Sequence, residues 1–281
     1  MSHLEHCDHH GLPAIRLTAS DGGTALVTAY GAQVLSWIPA QGAERLYLSD
    51  RARYARGAAI RGGIPVVFPQ FGAPGPLPRH GFARNLDWVL VESREGRDFA
   101  LATFALTASA VTRETWPHDF RAELTVSIGG ARLDVELAVE NRSAASFDFT
   151  AALHTYLRVE EIEHAALHGL QGVRYRDQTA EGHEQVQKAE RLVVDREIDR
   201  IYPDAPRELL LSEPQQRLLI TMDGFPDVVV WNPWERQCAA LPDMTPHGFR
   251  EMLCVEAAVV ATPVQVVPGA LWTGRQTLVR L

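Results

Sequence analysis

Phe120-Arg-Ala-Glu-Leu-Thr-Val-Ser-Ile128 and Leu133-Asp-Val-Glu-Leu-Ala-Val139, flanking Gly129-Gly130, decide the fold class. Ala122, Leu124, Val126 and Ile128 alternate with Arg121, Glu123, Thr125 and Ser127. Leu133, Val135, Leu137 and Val139 alternate with Asp134, Glu136 and Glu140. A period of two puts apolar side chains on one face and polar ones on the other, which is a half-buried strand. Two such runs around a Gly-Gly pair predict an antiparallel hairpin. The pattern repeats outward: Thr24–Tyr30 and Gln33–Ile38 flank a Gly31-Ala32 turn, and Leu86–Val91 leads through a polar turn to Phe99–Thr107. Phe147 to Val159 reads as one strand, with Phe147, Phe149, Ala151, Leu153, Thr155, Leu157 and Val159 facing one way. Residues 160–215 are loop-rich, with short strands expected at Leu167–Leu170 and Arg191–Val194, and Leu218–Met222, Asp227–Trp231, Glu251–Val260 and Gln276–Leu281 resume the pattern. With no amphipathic helix, repeat or linker in between, the chain reads as a single all-β domain over residues 13–281, a large sandwich of antiparallel sheets.

Composition limits the partners. A net charge of −8 argues against broad nucleic-acid or anionic-membrane binding, so any anion site must be a local cluster. No apolar run approaches the ~18 residues of a membrane span. Cys7, Cys238 and Cys254 are odd in number and far apart, which suits a reducing compartment, and the N-terminus lacks the apolar stretch of a signal peptide; both point to the cytoplasm. The His-rich start, Met-Ser-His-Leu-Glu-His-Cys-Asp-His-His, offers metal-ligand types without a second ligand set, and residues 1–12 read as a disordered polar tail.

Residues 60–85 hold five Gly and five Pro in 26 residues, which excludes a helix and disfavours a central strand. Long irregular loops inside compact domains are usually functional. This one carries Arg61, Arg79, His80 and Arg84 between the apolar anchors Ile64, Val66, Phe68, Phe71 and Phe82. Three guanidiniums and an imidazole could receive an anion and a proton-transfer substrate, or could be ordinary solvated side chains.

Elsewhere, His154 lies on the more polar face of its strand, with Thr150, Tyr156 and Arg158, either as an aimed proton-transfer group or as a satisfied structural histidine. Glu256 interrupts the apolar run Met252-Leu-Cys-Val-Glu-Ala-Ala-Val-Val260, sharing a face with Met252 and Cys254. A carboxyl there is partly desolvated and raised in pKa, as a base or as half of an ion pair. Asp199 sits in a charged stretch where a solvated acid is the default, and Trp231-Asn-Pro-Trp234 could wall a sugar ring or fill a core. His164 and His168 lack a helical frame for zinc, and no P-loop, dinucleotide fingerprint, HExxH or Gly-x-Ser-x-Gly occurs.

In order, Ile60-Arg-Gly-Gly-Ile-Pro-Val-Val-Phe-Pro-Gln-Phe-Gly72, Arg79-His-Gly-Phe-Ala-Arg84, Leu153-His-Thr-Tyr-Leu157, Asp199-Arg-Ile-Tyr202, Val230-Trp-Asn-Pro-Trp234 and Met252-Leu-Cys-Val-Glu256 resemble the glucose-6-phosphate 1-epimerases, the hexose-6-phosphate mutarotase branch of the aldose 1-epimerase superfamily. The resemblance runs from about residue 13 to the end. It implies a galactose mutarotase-like β-supersandwich with a cleft on one sheet, His154 as general acid and Glu256 as general base. Arg61, Arg79, His80, Arg84 and Asp199 then fall on or near substrate-binding positions. The implied partner is a hexose 6-phosphate, with no metal or organic cofactor and a monomer or weak dimer as the assembly. An ionised Glu256 and a protonated His154 would stabilise each other and raise the histidine pKa toward working pH. A non-catalytic sugar-phosphate binding module and a general aldose 1-epimerase for free hexoses are the alternatives.

Overall fold

The computed structural model describes residues 2–73 and 75–281, so Met1 of the tail and Pro74 of the proline-rich loop lie outside it. Its strands form three antiparallel sheets. The largest runs Arg191–Leu192, Ala166–His168, Glu208–Ser212, Arg217–Asp223, Leu271–Arg280, Arg132–Asn141, Phe120–Gly129, Ala100–Thr107 and Val89–Glu95. The second runs His183–Val186, Arg174–Asp177, Ile198–Tyr202, Asp227–Asn232, Met252–Val266, Phe147–Leu153 and Val66–Val67, with Tyr156–Arg158 also on Met252–Val266. A four-stranded sheet of His3–His9, Leu12–Thr18, Thr24–Thr28 and Val34–Ile38 completes the set.

The hairpin that opens the sequence argument forms as expected, one residue longer on each side of its turn. Gly129 pairs with Arg132, so the turn residues are Gly130-Ala131, and Gly130 supplies the left-handed φ of 61°. Its apolar positions Leu124, Val126, Leu133, Val135 and Leu137 are buried against Phe149, Leu153, Ile198, Val228 and Val255 of the second sheet in one continuous core. Each fully buried aliphatic side chain contributes about 1.5–3 kcal/mol, so this interface dominates the stability of the two sheets.

Three expectations are corrected. Residues 2–12 do not form a disordered tail: His3–His9 is a strand paired with Leu12–Thr18, closed by the left-handed pair His10 and Gly11. Asp8 Oδ1 accepts the Gly11 N–H at 2.8 Å, Leu4 packs on the core, and His10 stacks on Tyr54 at 4.4 Å. The polar composition hid an edge hairpin whose partners lie far along the chain. Secondly, residues 160–215 hold more sheet than the pattern suggested, with Arg174–Asp177, His183–Val186, Ile198–Tyr202 and Glu208–Ser212 as strands of four or five residues, too short to show a period.

The third correction shapes the cleft. Phe147–Val159 is broken between Leu153 and Tyr156. There the Thr155 N–H turns back onto the Leu153 carbonyl at 2.8 Å, and the His154 N–H is drawn to the Pro65 carbonyl at 3.0 Å. Thr155, facing the core, bonds the buried Gln276. A period-two pattern continues through such a break because the faces on either side are unchanged.

Candidate active site

Register places the polar residues in rows across the solvent-facing side of the second sheet. Glu256 lies beside Val229, Val229 beside Ile201 and Ile201 beside Arg176; in the next row Tyr156 lies beside Cys254, Cys254 beside Trp231 and Trp231 beside Asp199. Ala152 pairs with Ala258 before the break and Tyr156 with Cys254 after it. Continuing either register across the gap puts His154 opposite Glu256. The inner face of Met252–Val266 carries Val255 and Ala257 into the core, so one strand serves both sides.

The proline-rich loop closes one end of this face. Its chain packs so tightly that a Cβ on Gly63 would lie 2.1 Å from the Val34 carbonyl oxygen and one on Gly81 2.2 Å from that of Phe68, and both residues have left-handed φ. Gln70 staples the loop to itself, donating to the Leu77 carbonyl at 3.1 Å and accepting the Leu77 N–H at 3.2 Å. The Phe71 N–H donates to Thr150 Oγ1 at 2.7 Å, which ties the loop to the strand leading to His154.

A cleft of ≈ 970 Å³ results, lined by Arg61, Arg79, His80, Arg84, His154, Asp199 and Glu256 among the residues singled out in the sequence. At its floor His154 Nδ1 lies 3.4 Å from Glu256 Oε1 and 3.7 Å from Cys254 Sγ. Glu256 is 1% exposed, and its Oε2 has no hydrogen-bond partner among the described residues. The His154 ring stacks on Tyr156 at 4.8 Å, with Trp231 edge-on at 6.1 Å and His80 at 5.7 Å.

The cations are held by different means. Arg61 donates to the Tyr156 hydroxyl at 3.0 Å and pairs with Asp243 at 3.2 Å. Arg84 donates to the Arg79 carbonyl at 3.0 Å and leaves its Nε unpartnered. Arg79 Nε approaches His80 Nε2 at 3.3 Å, while the Gly72 N–H approaches His80 Nδ1 at 3.3 Å. A neutral imidazole accepts at one nitrogen only, so one of these contacts is a hydrogen bond in any tautomer. His80 also takes a left-handed φ of 67°, unusual outside glycine, at the edge of the site.

Electrostatics correct the expected charge state. Burial, reinforced by His80, Arg84 and Arg61, pushes His154 well below the ordinary imidazole value. Burial, reinforced by Asp199, pushes Glu256 well above the carboxylate range, with Arg84 and Arg79 opposing. The depth of burial therefore favours a neutral pair, because desolvating two charges outweighs their mutual attraction. His80 is driven down to about 3 by burial and then by the three arginines. Asp199, on the strand Ile198–Tyr202 and not on a solvated loop, is raised to about 6 by burial, with Arg79 opposing.

Of the indole pair only Trp231 lines the cleft; Trp234 turns away onto Phe249 at 5.1 Å. Sequence reasoning missed Arg176, Gln237 and Asp243. Arg176 sits on a four-residue strand, and Asp243 follows a short helix in a Pro-rich turn, so neither stood out.

This stacking of sheets is that of the mutarotase-like supersandwiches. The crystal structure of a galactose mutarotase-like protein from Clostridium acetobutylicum matches with a TM-score of 0.77 over 100% of this chain and 98% of that one, at 15% identity, a likeness of fold alone. The description of the aldose 1-epimerase family matches residues 13–279, and the chain belongs to that family. A Cenchrus ciliaris protein provisionally named glucose-6-phosphate 1-epimerase is 33% identical over 278 residues, covering 95% of this chain and 84% of that protein. The crystal structure of YeaD, a provisionally named mutarotase of Salmonella typhimurium, matches with a TM-score of 0.92 at 30% identity, over 99% of this chain and 93% of that one.

Proposed function

We propose that the chain is a hexose-6-phosphate mutarotase, interconverting the α and β anomers of glucose 6-phosphate or a similar sugar phosphate. The observation that carries this reading is the His154–Glu256 pair, 3.4 Å apart on the floor of a cleft whose end is lined by Arg61, Arg79 and Arg84. Anomerisation removes a proton from O1 and supplies one to the ring oxygen O5. The ring opens to the aldehyde, C1 turns about the C1–C2 bond, and closure on the other face gives the second anomer. Glu256 is the base at O1 and His154 the acid at O5; on closure each transfer runs in reverse. Each proton transfer supplies roughly 10²–10⁴ in rate.

The neutrality that burial favours in this pair gives the phosphate a second task. Burial is the main reason His154 stays neutral, and a dianion bound by Arg61 and Arg84 offsets the smaller part that those two cations add. The pair then moves toward the ionised form that the two transfers require. Forked guanidinium donors suit a 6-phosphate because they meet its oxygens in pairs. Asp199 and Trp231 suit a hydroxyl and a ring face of the sugar.

A monomer or weak dimer is the assembly proposed. The free thiols Cys7, Cys238 and Cys254 support a cytoplasmic location. Among the described residues no helix is long and apolar enough to cross a membrane. A mutarotation assay comparing glucose with glucose 6-phosphate tests the reading. Strong preference for the phosphate is expected; equal turnover assigns the chain to general aldose 1-epimerases, and none of either to sugar binding without catalysis.

A further inference from the structure

Just beneath the floor of the cleft lies a buried side chain that anomerisation does not use. Cys254 Sγ faces His154 Nδ1 at 3.7 Å, and Glu256 Oε1 faces the same nitrogen at 3.4 Å. The three ligand atoms lie within 4.8 Å of one another, and all three residues are buried. Zinc binds imidazole nitrogen at about 2.0–2.1 Å, thiolate at about 2.3 Å and carboxylate at about 2.0–2.2 Å in tetrahedral sites. From those lengths, a nitrogen and a sulfur sharing one zinc sit about 3.5 Å apart, and a nitrogen and an oxygen about 3.4 Å apart. The two edges that meet at His154 Nδ1 stand near those spacings, and the sulfur–oxygen edge, within 4.8 Å, must close toward the roughly 3.6 Å that a shared ion sets. Glu256 Oε2 is a second, independent sign: a buried carboxylate oxygen without a hydrogen-bond partner among the described residues.

We propose that His154, Cys254 and Glu256 form a binding site for a thiophilic divalent cation such as Zn²⁺, which shuts the cleft to sugar. The proposal rests on the mutarotase reading only for the consequence of binding, not for the binding itself. The ion takes His154 Nδ1, Cys254 Sγ and one Glu256 oxygen as ligands, and the fourth position opens to the cleft. The thiol loses its proton to solvent as the S–Zn bond forms, and a protonated Glu256 loses one as well. Zinc, thiolate and carboxylate together carry no net charge, so Arg61, Arg79 and Arg84 do not repel the complex as they would a bare cation. A soft sulfur ligand selects Zn²⁺ over the oxygen-seeking Mg²⁺ and Ca²⁺.

The test uses the full chain, stripped of metal with a chelator and titrated with zinc chloride by calorimetry in two buffers of different ionisation enthalpy. One ion per chain and release of at least the Cys254 thiol proton are expected. Cys254→Ala should weaken binding by more than the ~10–100-fold that losing an outer partner costs and release one proton fewer. Cobalt(II) in place of zinc should give a thiolate charge-transfer band that Cys254→Ala abolishes. Cys7→Ser is the control for the His-rich hairpin and should leave binding intact. Absence of binding, or binding lost with Cys7→Ser and kept with Cys254→Ala, overturns the site. Anomerase activity with and without zinc is read as a ratio for each variant, and inhibition that Cys254→Ala relieves supports occlusion. Zinc seated on Cys254 without inhibition overturns the occlusion and, separately, the catalytic reading of the cleft. Circular dichroism melting shows that the variants are folded.

Discussion

The imidazole of His154 lies flat on the ring of Tyr156, centroids 4.8 Å and planes 10° apart, while the Tyr156 hydroxyl accepts from Arg61 at 3.0 Å. One residue thus aims the proposed proton-transfer group with its ring and the proposed anion-binding group with its oxygen. The two tasks separate by substitution. Tyr156→Phe keeps the stack and removes a hydrogen bond from a charged donor, worth about 1.5 kcal/mol or roughly tenfold. Because Asp243 still holds Arg61, the loss should appear in KM for glucose 6-phosphate, with kcat within a few-fold of wild type. A fall confined to kcat contradicts this division.

Arginine substitution reads the phosphate directly. A charged hydrogen bond is worth roughly 1.5–3 kcal/mol, so Arg61→Ala or Arg84→Ala should each cost about 10–150-fold in kcat/KM for glucose 6-phosphate. The same variants should scarcely alter turnover of glucose, which has no dianion to hold. Equal losses on both substrates mean that the arginines position the loop.

Phosphate should also charge the histidine. Burial and then His80, Arg84 and Arg61 lower the His154 pKa, and an anion on the arginines removes part of that effect. In NMR titrations with labelled histidine, saturating inorganic phosphate should raise the apparent His154 pKa. A value unchanged or lowered by phosphate rules out the coupling.

Asp199 gives a pH signature in stability. Its carboxyl titrates near about 6 in the native state against 3.8 in the unfolded chain. Between those values the native state binds the extra proton, so stability falls as pH rises through that window and the cost is complete above it. Asp199→Asn removes the cost. The variant should be more stable than wild type by about 1–3 kcal/mol near neutral pH, with the difference vanishing toward the acid end of the window. Urea unfolding of both proteins across pH provides the comparison; a variant less stable at neutral pH contradicts it.

The sheets were legible where strands are long and half-buried. The Phe120–Asn141 hairpin, and the face of Met252–Val266 that carries Cys254 and Glu256, follow from period-two alternation alone. Register was not legible: nothing local says that Glu256 meets Val229 or that the break before Tyr156 sets His154 opposite Glu256. The His-rich hairpin was missed because its stability comes from Tyr54, Glu95 and the core, all distant in sequence. The charge of the His154–Glu256 pair was misjudged because attraction is visible from two residue types, whereas desolvation depends on how deeply the fold buries them.

The most direct measurement is anomer exchange itself. In solution at equilibrium, NMR exchange spectroscopy between the α and β anomers of glucose 6-phosphate reads the catalysed rate without coupling enzymes. Wild type should accelerate exchange well above the buffer rate. Glu256→Gln, which keeps the shape and removes the basicity, and His154→Asn should each lower kcat by at least ~10² while melting like wild type. Exchange no faster than buffer with wild type, or a folded Glu256→Gln as fast as wild type, would contradict the account.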